Sequence, residues 1–225
     1  MKKQKLNLRN VIAIVICIAV TTMFSGCKKS EKMTMTTEQS VVVFNISGSG
    51  TATINWGDGT KNETIKLIKG EVSTHSYGYS STSAHTVTIT GKKIVLLDCS
   101  DNQLTDLNVS NNTELIGLLC NNNQLTNLDV SNNTELNALR CNNNQLTKLD
   151  LSNNMKLTDV NEFLALNCSN NKFSDDALNA LFGTLHEYIF LDSKSINITG
   201  NPGTDTCDKS IATAKGWTVD DTDVK

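Results

Sequence analysis

Three stretches of the chain share one pattern of apolar and polar positions at a fixed spacing. Leu97-Asp98-Cys99-Ser100-Asp101-Asn102-Gln103-Leu104-Thr105 recurs 21 residues later at 118–126 and again at 139–147. A fourth copy, opening at Leu166, arrives after 27 residues because six are inserted around 158–162. Each copy is echoed ten residues on: Leu107-Asn108-Val109 with Asn112, Leu128-Asp129-Val130 with Asn133, Leu149-Asp150-Leu151 with Asn154. Alternation of period two followed by an Asn-rich turn predicts a short strand, so each unit holds two. No unit can bury its apolar side alone, and neighbours must therefore stack. The expected class is mainly β: a short right-handed solenoid of about four coils with two parallel sheets.

The flanks follow other rules. Residues 39–91 carry β-branched clusters at Val41–Ile46, Thr51–Trp56, Glu63–Ile68 and His85–Thr90, joined by Gly- and Ser-rich turns. That predicts a small antiparallel module. Its last cluster runs straight into Ile94, so it should cap the repeats, which span 92–203. Downstream, apolar residues at 178, 181, 182 and 185 predict a helix over 175–188, with Ser174 or Asp175 as its N-cap. A final repeat strand at Ile196–Ile198, a short helix at 207–214 and a strand at Trp217–Val219 complete a C-terminal cap, whose last part is 204–225.

Charge and the first residues add an address. Residues 1–26 hold four of the 20 basic residues and no acid, so the remainder carries 16 basic against 23 acidic residues, a formal charge of about −7. Non-specific nucleic-acid binding needs clustered Lys and Arg, which an acidic chain does not offer. A basic n-region at 1–9 precedes the apolar run 11–20, too short for a membrane span and placed as a secretory leader. Phe24-Ser25-Gly26-Cys27 resembles a bacterial lipobox. The resemblance implies a leader over 1–26 and lipid attachment at Cys27, hence an outer-membrane lipoprotein of the cell envelope, either surface-exposed or facing the periplasm. Residues 27–38 then read as a polar tether, its eleven residues past Cys27 reaching roughly 35–40 Å.

Two family resemblances follow from motifs. Leu-x-x-Leu-x-Cys-x-x-Asn-x-Leu, in four phased copies over about 92–203, resembles the leucine-rich repeat, in its nested 21-residue form common in Bacteroidetes surface proteins. The tail from Gly200 to Trp217 resembles the terminal cap of the same group. Trp56-Gly57-Asp58-Gly59 with His75-Ser76-Tyr77 resembles the PKD-type β-sandwich, although about 53 residues are short for that fold and the usual later Gly-x-Tyr is missing.

Roles can be given to individual positions. Asn102, Asn123, Asn144 and Asn171 should form an internal ladder whose amides satisfy buried turn groups. Cys99, Cys120, Cys141 and Cys168 would line up in adjacent coils. Inert buried thiols are the favoured reading, since no CxxC pair occurs and Cys buries readily; disulfides between coils and a metal are the alternatives. Asp58 reads as a turn-bonding residue and His75 as a structural histidine. Side chains flanking the strand leucines should point outward. They make a candidate binding face of Leu96, Asp98, Asp101, Leu119, Asn121, Asn122, Arg140, Asn142, Asn143 and Asn167, with Leu96, Leu119 and Arg140 as anchors.

Function is the least legible property. His75, His85 and His186 fall in separate segments without a catalytic motif, and no GxSxG, HExxH or phosphate loop occurs. The expectation is a non-enzymatic protein without cofactor or metal. It would hold a host or envelope protein, for interaction or adhesion, and reach the membrane through its N-terminal lipid. A glycan-binding accessory lipoprotein, or a structural envelope protein without a soluble ligand, is the alternative. Glycan capture would favour exposed aromatics, and Tyr77, Tyr79, Tyr188 and the two Trp fall outside the expected repeat faces.

Overall fold

The computed structural model describes residues 31–159, 165–187 and 194–222. The leader, Cys27 and most of the insertion around 158–162 lie outside those residues. Among the described residues no helix is long and apolar enough to cross a membrane.

Residues Glu31–Thr37 are not a tether but strand β1. Met33 and Met35 alternate with Lys32, Thr34 and Thr36, and both methionines are buried. Two apolar side chains at a spacing of two suffice when the sheet around them supplies the rest of the core. β1 pairs antiparallel along its whole length with β6 (His85–Gly91) and, on its other edge, with β8 (Asp106–Asn108). With β3 (Gly50–Asn55) and β4 (Glu63–Leu67) these make a five-stranded sheet in the order β4-β3-β6-β1-β8.

The second sheet has eight strands. Its repeat part runs through β7 (Ile94–Asp98), β9 (Gly117–Leu119), β10 (Ala138–Arg140), β11 (Leu166–Asn167), β12 (Ser195–Asn197) and β13 (Thr218–Asp220), each parallel to the next. Leu97, Leu118, Leu139, Leu166 and Ile196 lie in register and fully buried. β2 (Val41–Gly48) adds antiparallel to β7, and β5 (Val72–Gly78) to β2. The N-terminal module therefore shares a sheet and one core with the repeats.

The expected second parallel sheet is absent among the described residues. Of the inner echoes only Asp106–Asn108 is a strand, and it pairs with β1. The first echo alone meets the edge of β1, which gives it a ladder partner. Asn108, Asp129 and Asp150 each accept a bond from the amide two residues on, at Ser110, Ser131 and Ser152. These bonds hold the Asp129 carboxyl below its usual range. Asn133 and Asn154 still link coils, each donating to two carbonyls of the unit before. Asn112, first in that row, has no preceding unit, and its buried Nδ2 lacks a partner among the described residues.

At the turn after β3, Gly57 and Gly59 adopt positive φ. A Cβ at Gly57 would come within 2.4 Å of the Thr86 carbonyl oxygen. Asp58 accepts from the Thr60 amide, the Thr60 hydroxyl and the Tyr77 hydroxyl, which brings its carboxyl down to about 2. Tyr77 stacks on Trp56, and Tyr79 donates to the Trp56 carbonyl. His75 meets Ser73 and Glu63.

The far end is closed by α1 (Asp175–Thr184) and α2 (Ser210–Thr213). Ser174 caps α1 by accepting from the Ala177 amide, and Asp175 and Asp176 sit in its first turn, where the helix dipole favours acids. Leu178, Leu181 and Phe182 cover the last coils, with Trp217 beside them. Trp217 donates its ring N–H to the His186 carbonyl, and the His186 ring meets it edge-on. His186 Nε2 also contacts the buried ammonium of Lys194. Burial first, then the Lys194 and Lys215 charges, pushes the His186 pKa down to about 4.

Two outcomes follow. Met35→Ala should lower the unfolding free energy by roughly 2–5 kcal/mol in urea denaturation, where a tether residue would show no change. His186 stays neutral in the fold while the unfolded chain protonates near 6.5. Between those values the unfolded state binds more protons, so the contribution is complete above about pH 6.5 and is lost as pH falls towards about 4. Melting curves across that window should show a steeper fall for the native chain than for His186→Gln.

Candidate interaction face

The face opposite the core leucines forms one straight row across all eight strands. Thr74, Asn45, Asp98, Leu119, Arg140, Asn167, Asn197 and Asp220 lie in register. At an inter-strand spacing of about 4.8 Å the row is roughly 34 Å long. Its ends are tied by hydrogen bonds. Thr74 donates to Asn45 (2.6 Å), Asn45 to Asp98 (3.3 Å) and Asn197 to Asp220 (3.0 Å). In the middle, burial pulls the Arg140 guanidinium down from its usual value while the Asp98 charge opposes this.

The apolar anchors expected here are not exposed. Leu96 is fully buried and Leu119 is 4% exposed. Strands about 4.8 Å apart let neighbouring side chains shade one another, and Leu119 stands between Asp98 and Arg140. Asp98 is also buried. Arg140 and Asn167 remain half-exposed, so the surface is polar.

Beside this row runs the Asn-rich edge. Ser100 donates to Asn121 (2.8 Å), and the neighbouring Asn142 is half-exposed. Asp101, Asn122, Asn143 and Asn170 all have φ between 50° and 62°, and Gly200 takes the same place in the last unit with φ 73°. The left-handed region strains most side chains and suits Asn, Asp and Gly. Asn143 donates to Asn122 (2.6 Å), and Asn122 to Asp101 (2.8 Å), an exposed amide line one position from the buried one.

The buried line holds the strand ends in place. Asn123 accepts from the amides of Asn102 (3.1 Å) and Leu104 (2.9 Å), and donates to the carbonyls of Cys99 and Cys120. Asn144 serves Leu125, Cys120 and Cys141, and Asn171 serves Leu146, Cys141 and Cys168. Asn102 reaches back to both polar groups of the Val43 backbone in β2. Asn201 adds a fifth rung, taking the amides of Asn171 and Phe173.

Cys99, Cys120, Cys141 and Cys168 are free and buried along the same stack. Burial raises all four thiols, Cys141 to about 12. They stay protonated at neutral pH and are poor nucleophiles. Among the described residues no group of three or more His, Cys, Asp or Glu could hold a metal ion.

Sequence reasoning stopped the face at Leu96. It misses Asn45 and Thr74, because their pattern by itself reads as a separate cap. It also missed Asn197 and Asp220 at the other end, although Ile196–Ile198 was legible as a repeat strand.

No protein-family model matches the chain, and neither does any curated protein. A solved structure, the functional domain of InlJ from Listeria monocytogenes, described as including a cysteine ladder, is similar. Identity is 37% over 53% of this chain, with a TM-score of 0.40. The match spans 23% of that chain's length.

Asn123→Ala strands the amides of Asn102 and Leu104, while the carbonyls of Cys99 and Cys120 each keep one donor, from Asn102 and Asn144; each stranded buried amide costs about 1–3 kcal/mol. It should therefore destabilise far more than Asn122→Gly, which keeps the left-handed turn relaxed. Urea melts of the two variants give the comparison, and equal midpoints would refute the ladder's role.

Proposed function

We propose that this chain is a non-enzymatic leucine-rich repeat lipoprotein of the bacterial cell envelope, anchored through Cys27, that binds a protein partner. The repeat motif, with its nested 21-residue period, supports a solenoid of the Bacteroidetes type. One observation carries the binding role: the row from Thr74 to Asp220, in register across both the module and the repeats and polar except at buried Leu119. Its side chains are already bonded to one another at both ends, so little freedom is lost when a partner docks. Half-buried Arg140 at the centre is the anchor, of a residue type enriched at binding hot spots. A strip of this size suits a modest, reversible interface rather than a permanent one. Adhesion to a host or neighbouring-cell protein is the specific form we favour.

The test is capture of partners from host-surface and envelope extracts on the immobilised chain. Arg140→Glu combined with Asn167→Arg should remove the captured protein, with at least a tenfold weaker Kd for an anchor worth about 1.4 kcal/mol or more. Lys148→Glu, off this face, should leave it. Equal capture by all three proteins would sink the proposal.

A further inference from the structure

We propose that the end of the N-terminal module where β1 begins docks on an anionic bilayer surface. This rests on anchoring at Cys27. β1 starts at Glu31, so residues 28–30 alone separate the two positions, and four Cα steps span at most about 14 Å. A protein held that closely meets the membrane with whatever surface surrounds Glu31.

Four segments meet there. Glu31 pairs with Gly91 and Lys32 with Thr90, which places the Lys92-Lys93 corner beside the start of β1. The Ser49 amide donates to the Lys93 carbonyl (3.1 Å). Gly50 pairs with Leu67, and Thr51 with Lys66. The turn after β4 closes by a bond from the Glu71 amide to the Ile68 carbonyl, and the Ser47 hydroxyl holds the Glu71 carbonyl. Ser49, Thr51, Thr53, Thr90, Lys92 and Lys93 line a shallow depression at this corner.

The chemistry of this end differs from the rest of an acidic chain. Lys32, Lys66, Lys69, Lys92 and Lys93 are all exposed, against exposed Glu71 and buried Glu31. Ile68, between Lys66 and Lys69, is 48% exposed, one of few large apolar side chains left in solvent among the described residues. Basic residues around an exposed aliphatic side chain match a surface of lipid phosphates over an apolar interior. The short reach matters because this attraction decays over about 8 Å at physiological salt. The eleven-residue tether expected from the sequence would let these lysines move up to roughly 35–40 Å from the anchor.

The experiment uses the full gene product, isolated from membranes of an expressing bacterium. Intact mass first reads whether Cys27 carries lipid. The protein is then placed in vesicles of phosphatidylcholine with or without phosphatidylglycerol, and each lysine's acylation rate is read by mass spectrometry. Lys92 and Lys93 should be acylated at least about fivefold more slowly in the phosphatidylglycerol vesicles, the factor matching about 1 kcal/mol per lysine. High salt should reverse this, and Lys61 and Lys148 should not change. Lys92→Glu with Lys93→Glu should remove the protection at Lys32 and Lys66. A lipidated protein whose Lys92 and Lys93 react equally in both vesicles would overturn the docking alone. A mass without lipid at Cys27 would overturn the anchoring and the docking with it.

Discussion

In each repeat a buried carboxamide reaches across the gap to the next coil. The Asn123 oxygen takes two amides of the unit before it, and its nitrogen reaches the Cys120 and Asn121 carbonyls of its own coil and the Cys99 carbonyl of that neighbour. The repeat strands are two to five residues long. Backbone bonds between coils continue past them, as from Cys120 to Arg140 and from Asn122 to Asn142, but leave the amides of Asn102, Leu104, Leu125 and Leu146 to side chains. A narrow core hides those groups from water, where each orphan costs about 1–3 kcal/mol. Leucine burial can drive coils together, but a carboxamide with both donor and acceptor at one point fixes their register. Asn102 applies the same bond to β2, so the ladder also welds the module to the repeats.

The candidate surface follows from that weld. Because β2 and β5 continue the repeat sheet, the polar row spans eight strands instead of stopping at the first repeat. The residue beside each ladder Asn must turn left-handed to bring the amide inward, which explains Asp101, Asn122, Asn143, Asn170 and Gly200 on the rim. Structural and exposed asparagines are thus neighbours with opposite roles: one is bonded inside, the other offered to solvent. The cysteines share the inner line and are filler, since burial keeps them protonated.

Two ends close the stack by different means. At the C-terminal end a capped helix and Trp217 cover the last coil, and His186 stays neutral because it is buried and because the Lys194 ammonium lies against it. At the N-terminal end a two-sheet module does this work, at the cost of stranding Asn112 where no earlier coil supplies a carbonyl.

The 21-residue period, the buried Leu, Cys and Asn positions, the capping helix and the turn at Asp58 were legible in the sequence, because each depends on contacts repeated at fixed spacing or made within a few residues. Residues 31–37 were not. Two methionines among threonines and a lysine look polar, and their burial depends on β6 and β8, some 50 and 70 residues away. The inner echoes also misled, since apolar alternation does not say whether a neighbouring strand is there to pair with, and only Asp106–Asn108 meets one, at β1. Leu96 and Leu119 were read as exposed from their parity, which is correct about direction but silent about shading by neighbouring strands. The local pattern thus determined which residues face inward. Only the tertiary structure decided which strands share an edge, and so where the face extends and how close the folded part sits to residue 27.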